Sequence, residues 1–204
     1  MTAVVAALAF ILERLFGYPK AVEALIGHPV AWIGGLIGFL DTRLNHGADA
    51  PEKNRMAGVA ALALVLFMSG LLAGMLTAFC RAVPFGFVAE AVFASAFLAS
   101  RQLGEAVGAV ARGLRRTLGD GQTALQPIVG RDAKSLDAHG TARAAIETLA
   151  ENTSDGVVAP LVYLTLFGLP GIVVYKAINT ADSMLGHLTP RHREFGRASA
   201  RLDD

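Results

Sequence analysis

The chain is 204 residues long, 53% hydrophobic and 17% charged, with a mean hydropathy of +0.49 and a formal net charge of +1. Soluble domains carry about a quarter charged residues, so the composition argues against a water-soluble enzyme, and the near-zero charge argues against a nucleic-acid binder that works by neutralising phosphates. The single cysteine, Cys80, sits in an apolar run and reads as a buried thiol, so neither a disulfide framework nor a thiolate zinc site is available.

Met1 to Ile11 are apolar but lack the basic flank and small-residue cleavage site of a secretory signal, and they read as the start of the mature chain. Two short apolar stretches, Thr2 to Leu12 and Pro29 to Leu40, are interrupted by Glu13, Arg14 and the turn Gly27 to Pro29. Each is short for a span and is expected as a tilted, interfacial or re-entrant helix. Residues 57–80 hold no charge over 24 positions, which as a helix crosses the roughly 30 Å hydrocarbon core. Within it, Ser69, Gly70 and Gly74 offer small residues for close helix packing. Residues 82–100, after a break at Arg81 and Pro84, are expected to return as a second span, so that 57–100 forms a transmembrane hairpin. The one charge there, Glu90, is a functional candidate at membrane depth, or an interfacial group if the span begins late.

From Arg101 to Leu118 the spacing of Leu103, Val107, Val110 and Leu114 predicts an amphipathic surface helix with Arg112, Arg115 and Arg116 turned to headgroups, ended by Gly119 to Gly121. The apolar segment 157–175 carries Pro160, Gly168, Pro170 and Gly171, which predicts a broken helix or a re-entrant hairpin. Lys and Arg number seven in 101–155, five in 176–201 and five before Ala57. A complete crossing at 157–175 would set the basic tail outside, against the positive-inside tendency. Re-entry is therefore expected, with both polar regions on the cytoplasmic side of the cell membrane. The expected fold is all-α and polytopic, one membrane-embedded domain over 1–204: apolar or interfacial segments in 1–56, the hairpin in 57–100, and a motif-bearing region in 101–204.

Two polar strings flank the broken segment. In TARAAIETLAENTSDGVVAP, residues 141–160, Arg143, Glu147 and Glu151 share a helix face beside Asn152, before Thr153 to Gly156 end the helix. Carboxylates and an amide at a helix end suit a hard cation such as Mg²⁺ and its nucleotide phosphates. The same residues also describe a solvated helix with an Arg–Glu pair and a cap for the next helix. In YKAINTADSMLG, residues 175–186, Lys176, Asn179 and Ser183 lie near one face with Asp182 close by. There Lys176 is suited to phosphate, and Asn179 or Asp182 to a metal or to orienting a nucleophile. Arg197, Arg201, Asp203 and Asp204 in the tail are either site groups or a charged end. Walker A, GxGxxG, HExxH and G-x-S-x-G patterns do not occur, and the five histidines show no metal-ligand spacing.

The strings IVGRD, AIETLAENTSDGVVAP, YKAINTADSML and FGRASARLDD, taken in order, with HPVAWIG at His28 to Gly34 upstream, closely resemble the integral-membrane CobD/CbiB family of cobalamin biosynthesis, the adenosylcobinamide-phosphate synthases. The resemblance covers essentially the whole chain. It implies a ligase that uses ATP and Mg²⁺ to join a carboxylate of the corrinoid adenosylcobyric acid to aminopropanol or its O-phosphate. It also implies partners in the lipid bilayer and among other cobalamin-pathway membrane proteins. Under it, Glu147, Glu151, Asn152 and Asp155 are expected to form a metal and nucleotide cluster that Lys176, Asn179 and Asp182 complete. Glu151, Asp155 and Asp182 are the expected metal ligands; Arg131 and Asp132, with Lys176, are expected to contact the cofactor phosphates. Family members often have Gly-Asp-Pro where this chain has Gly17-Tyr18-Pro19, which removes an acidic ligand there. They also continue past the ARLDD string, and this chain is expected to lack that C-terminal region.

Two other classes compete. One is a non-catalytic membrane protein derived from the family, serving in corrinoid binding or assembly or as a sensor like the distant AmpE-type proteins. The other is a transporter, in which Glu90 and the broken segment would line a midplane cavity. The enzyme reading instead expects Glu151, Asn152 and Asp182 in one cytoplasm-facing cleft.

Overall fold

A computed structural model describes residues 1–47 and 50–203 and is all-helical over them. In chain order the helices are α1 (Thr2–Phe16), α2 (Lys20–Ile26), α3 (Pro29–Leu44), α4 (Pro51–Arg81), α5 (Gly86–Ser95), α6 (Ser100–Leu114), α7 (Leu118–Leu125), α8 (Ala138–Thr153), α9 (Ala159–Leu185) and α10 (Arg197–Asp203). The runs Lys20–Leu44, Pro51–Arg81 and Ala138–Leu185 are long and apolar enough to cross a membrane, and the chain is a multi-pass helical membrane protein. In the last of these runs, contour length is not end-to-end distance, because the chain doubles back.

The reversal sits at Gly168, where φ 70° and ψ −160° leave the helical region. Tyr163 and Tyr175 stack with ring centroids 4.9 Å apart, although 12 residues of straight helix would separate them by roughly 18 Å. A Cβ placed on Gly171 would come within 2.6 Å of the Tyr163 carbonyl oxygen. The two arms of α9, before and after Gly168, therefore run antiparallel, and the segment expected to be broken or re-entrant is broken into a helical hairpin. Pro170 stands just past the bend, where a helix start needs no amide from it.

Around this hairpin, α4 contributes the long apolar span expected at 57–80, and α1, α5 and the hairpin share one core with it that includes Val5, Ala9, Val65, Ala91, Leu164 and Ile172. Glu90 of α5 is fully buried beside the tip: a Cβ on Gly168 would lie 3.7 Å from Glu90 Oε1 and 3.5 Å from Thr2 Cγ2. The carboxylate thus lies close to the bend at Gly168, which also approaches Thr2 at the start of α1. Arg81 Nε lies 3.6 Å from its other oxygen. A second, smaller core joins α6, α7 and α8 through Val110, Leu125, Ala144 and Ala145.

Several expectations need correction. The return span at 82–100 is only a ten-residue helix, α5, about 15 Å long and too short for the hydrocarbon core. Phe85 in the left-handed region starts it late, and a turn at 96–99 redirects the chain into α6. The stretches at the N-terminus are longer than their apolar cores suggest, with α1 of 15 residues and α3 of 16. Gly119 to Gly121 do not end the amphipathic helix; they lie inside α7, whose cap is Thr117, accepting from the Asp120 amide at 3.0 Å. Thr153 to Gly156 do not end α8 either, since a π-helical segment, Ser154–Val158, carries it into α9. Of the small residues on α4, Gly70 meets α9 closely, with Val174 Cγ2 3.3 Å from where a Cβ would sit, whereas Gly74 faces open space. Cys80 is buried, as read.

A borrowed helix cap ties the two cores together. Ala99 precedes α6 and offers no side-chain cap, but Glu13 of α1 accepts from the Arg101 amide at 2.8 Å, and the Arg101 side chain reaches back to the Leu15 carbonyl. At the far end of α9, the 186–196 strap is pinned to α3 by Asp41, which pairs with Arg191 at 2.7 Å and accepts from Asn45 at 2.8 Å.

Gly168→Ala is expected to destabilise the protein by about 1–3 kcal/mol, because its backbone region is essentially restricted to glycine. Gly35→Ala in α3, which meets nothing within 4 Å, is expected to be neutral or stabilising. Denaturation in detergent checks both; equal behaviour of the two variants would contradict the bend.

Candidate functional site

The π-helical segment gives the site its shape. A π turn displaces carbonyls from the α-helical ladder and recurs at functional sites. Here the displaced groups find partners outside the helix: the Gly156 carbonyl accepts from the Ala99 amide at 3.0 Å, and the Asp155 carbonyl accepts from Lys176 Nζ at 3.3 Å. In a straight helix, Asp155 and Lys176 would be roughly 31 Å apart; the reversal at Gly168 brings them into contact. Lys176 Nζ also donates to Asn179 Oδ1 at 3.1 Å, and Asp155 and Asp203 are the carboxylates whose fields reach the ammonium.

These groups open onto a cavity of about 590 Å³, in the size range of small-molecule sites. One wall is the end of α8 and the π turn, with Glu151, Asn152 and Asp155; the opposite wall is α9, with Lys176, Asn179 and Ser183. The start of α6, including Gln102, and the segment 127–130 close the remaining sides. Asn152 is oriented by donating Nδ2 to the Thr148 carbonyl at 2.9 Å, and Thr148 in turn donates to the Ile128 carbonyl at 3.4 Å.

Of the residues nominated from sequence, the structure brings Glu151, Asn152, Asp155, Lys176 and Asn179 around this one cavity. Glu147 stands off it, half exposed, between Arg131 at 2.9 Å and Arg143 at 3.2 Å. Arg131 therefore ties the 127–130 segment to α8 through that pair, and Asp132 accepts from the Lys134 amide at 3.0 Å in a local turn. Asp182 is not on the cavity wall; its carbonyl accepts from the Gly186 amide at 2.7 Å where α9 ends. Arg197 lies 3.6 Å from Glu194. Asp204 lies outside the described residues.

Helical spacing puts Ser183 on the face of Lys176 and Asn179 but gives no reason to nominate it, and it misses Gln102, whose position depends on where α6 begins. A second cavity, about 650 Å³ and apolar, lies between α1, α3, α4 and α5, with Tyr18, Trp32, Phe93, Leu169 and Val173 in its walls. Glu90, which a transporter reading would put on a cavity wall, lines neither space.

Among the described residues no group of three His, Cys, Asp or Glu side chains gathers to hold a metal by itself. Mg²⁺ commonly takes one or two protein carboxylates and completes its shell with substrate phosphates and water. Glu151 and Asp155 bring carboxylate oxygens and Asn152 an amide oxygen to the walls of the one cavity, which are the donor types that such a shared site uses.

Comparison with known proteins matches residues 6–204 to the family described as CobD/Cbib protein. The chain is 46% identical over 200 residues to the cobalamin biosynthesis protein CobD of a Sinorhizobium species, covering 97% of this chain and 62% of that protein. It is 43% identical over 194 residues to a protein of that name from Rhodobacter capsulatus, covering 95% and 61%. With the Brucella suis biovar 1 protein it shares 41% over 206 residues, covering 98% and 62%. The chain thus spans about three-fifths of the length of these relatives, and no solved structure matches it. The convergence of the two polar strings on one cavity, and a match over nearly the whole chain, lead to one assignment: the chain belongs to the CobD/CbiB family.

Proposed function

We propose that this chain carries the site of an ATP-dependent amide ligation in cobalamin biosynthesis, joining a carboxylate of adenosylcobyric acid to aminopropanol or aminopropanol O-phosphate. The observation that supports it is the contact of Lys176 with the Asp155 turn across the α9 hairpin, with Glu151, Asn152 and Asn179 on the same cavity.

A carboxylate is a poor electrophile, so it first attacks the γ-phosphorus of ATP to give an acyl phosphate and ADP. The amine then attacks the acyl carbon, phosphate leaves and the nitrogen sheds a proton. In this reading the Lys176 ammonium offsets charge on the transferring phosphoryl group. Glu151 and Asp155 would hold Mg²⁺, which would supply screening of phosphate charge and polarisation of the phosphoryl group. A carboxylate oxygen of Glu151 takes the amine proton. Asn152 and Asn179 orient the reacting groups, and Arg131, Asp132 and Glu147 keep the 127–135 region against α8. The cavity accepts the small reactants, and the larger corrin ring offers its side chain at the mouth.

Mass-spectrometric detection of amide product tests the reading. The assay uses the detergent-solubilised chain with adenosylcobyric acid, aminopropanol phosphate and Mg-ATP, alongside a version extended by the remaining region of its relatives. Product from either supports a ligase, and product only with the extension assigns part of the site to that region. Absence of product from both overturns the proposal in favour of a corrinoid-binding role.

In the active version, Glu151→Gln and Lys176→Met are each expected to lower kcat by about 100-fold or more, with membrane insertion unchanged. Glu147→Gln removes surface ion pairs worth about 0–1 kcal/mol and is expected to retain activity within a few-fold. Chelation of Mg²⁺ is expected to abolish product, with recovery on re-addition; full activity in excess chelator would remove the metal from the account.

A further inference from the structure

The lining of the site cavity divides by chemistry. Glu151, Asn152, Asp155, Lys176 and Asn179 make one part of it polar, and the reaction steps above use that part alone. Leu103 and Ala106 of α6, with Pro127, Ile128 and Val129, make the rest apolar. Ile128 and Val129 also pack against the smaller core, so this apolar part is fixed to α6, α7 and α8.

The IVGRD turn at the border of the apolar part is braced on both sides. Thr148 donates to the Ile128 carbonyl at 3.4 Å, Gln126 Nε2 donates to the Arg131 carbonyl at 3.2 Å, and Gln126 Oε1 accepts from the Ala133 amide at 3.0 Å. The Asp132 carbonyl accepts from the Ser135 hydroxyl at 2.7 Å. Between these bonds, the carbonyls of Val129 and Gly130 and the amides of Gly130, Arg131 and Asp132 have no hydrogen-bond partner among the described residues. Gly130 meets no structural demand for glycine either: its φ lies outside the left-handed region, and a Cβ there would meet nothing within 4 Å. Gly35, Gly74 and Gly104 have the same freedom on helices, but Gly130 has it on the cavity wall, where a bare backbone lets a ligand approach closely.

We infer that the apolar part of the cavity, between α6 and the backbone of Val129 to Asp132, takes the adenine ring of ATP, while the polar part around Lys176 takes its phosphates. This rests on reading the cavity as the ligation site, and it divides that cavity into a base end and a phosphate end. Bases are recognised by stacking against apolar side chains and by hydrogen bonds to their edges. Adenine carries a donor, N6–H₂, beside an acceptor, N7. A backbone edge with free carbonyls as well as free amides complements that pair. The same carbonyls would repel a phosphate, which needs donors alone. Gln126 and Thr148 are then positioning residues that hold the edge in place.

Two replacements separate the ends of the cavity. Binding of ATP, adenosine and inorganic tripolyphosphate is measured by calorimetry, in detergent with Mg²⁺, on wild type, Gly130→Val and Lys176→Met, with thermal stability alongside. Wild type is expected to bind ATP more tightly than tripolyphosphate. Gly130→Val adds carbons where the protein leaves open space. It is expected to keep the wild-type melting temperature and to bind ATP and adenosine about 10-fold or more weakly, with tripolyphosphate binding unchanged. Lys176→Met is expected to weaken ATP and tripolyphosphate and to spare adenosine. Wild-type ATP binding in Gly130→Val, an equal loss of tripolyphosphate in that variant, or a wild type that binds ATP no more tightly than tripolyphosphate would each overturn the inference. Amide formation together with any of those results strikes the base site and keeps the ligase. Base-selective binding with no amide from either the chain or its extended version strikes the ligase and leaves the nucleotide site standing.

Discussion

Reversing a chain inside an apolar bundle breaks backbone hydrogen bonds that lipid cannot replace, and the surroundings of Gly168 are arranged to tolerate that cost. Glycine supplies the backbone region, Pro170 has no amide to leave unpaired, and Gly168 and Leu169 at the bend are buried. Glu90 is buried there with neither oxygen hydrogen-bonded. Arg81 lies 3.6 Å from one of its oxygens and offsets the charge of the buried carboxylate beside the bend. Glu90 is thus an anchor for the bend at one end of the hairpin, while the cavity lies at the other.

The cavity end depends on a second departure from regular helix. If α8 ran into α9 without the π segment, the Asp155 and Gly156 carbonyls would be satisfied within the helix. With it, one carbonyl joins the start of α6 and the other receives Lys176. Those two bonds lock three segments that are distant in sequence around one space. The Glu13 cap on α6 works in the same direction, since it ties the end of α1 to the helix that closes the cavity. Disturbing either hairpin end is therefore transmitted to the site through a few named contacts.

Much of this is legible in the sequence where the signal is compositional. The uncharged run 57–80 can hardly be anything but a span, and prolines and glycines in 157–175, weighed with the distribution of Lys and Arg, point to re-entry. The polar strings on either side of that segment read as candidate chemistry, and re-entry implies that their ends meet. What is lost depends on local geometry. Residues 82–100 are apolar enough to cross, but Phe85 and the turn at 96–99 cut the helix to ten residues, and hydropathy does not record where a helix bends. Gly119 to Gly121 look like a terminator unless the Thr117 cap is weighed against them. Spacing groups Asp182 and Glu147 with their neighbours, yet a side chain one turn away on a helix can face a different partner. The five histidines show no metal-ligand spacing, and the parallel register of α3 with the second arm of α9 is encoded by no local pattern.

The α9 hairpin is what joins the two polar strings into one site. Replacing Tyr163 and Tyr175 by cysteine in a Cys80→Ala background and treating the membrane-embedded protein with a short bifunctional thiol reagent tests it directly. Stacked positions predict efficient intramolecular crosslinking, seen as one mass adduct joining both sites. Two separate single-ended adducts, as expected for a continuous helix that holds the positions roughly 18 Å apart, would contradict the hairpin and separate Asp155 from Lys176.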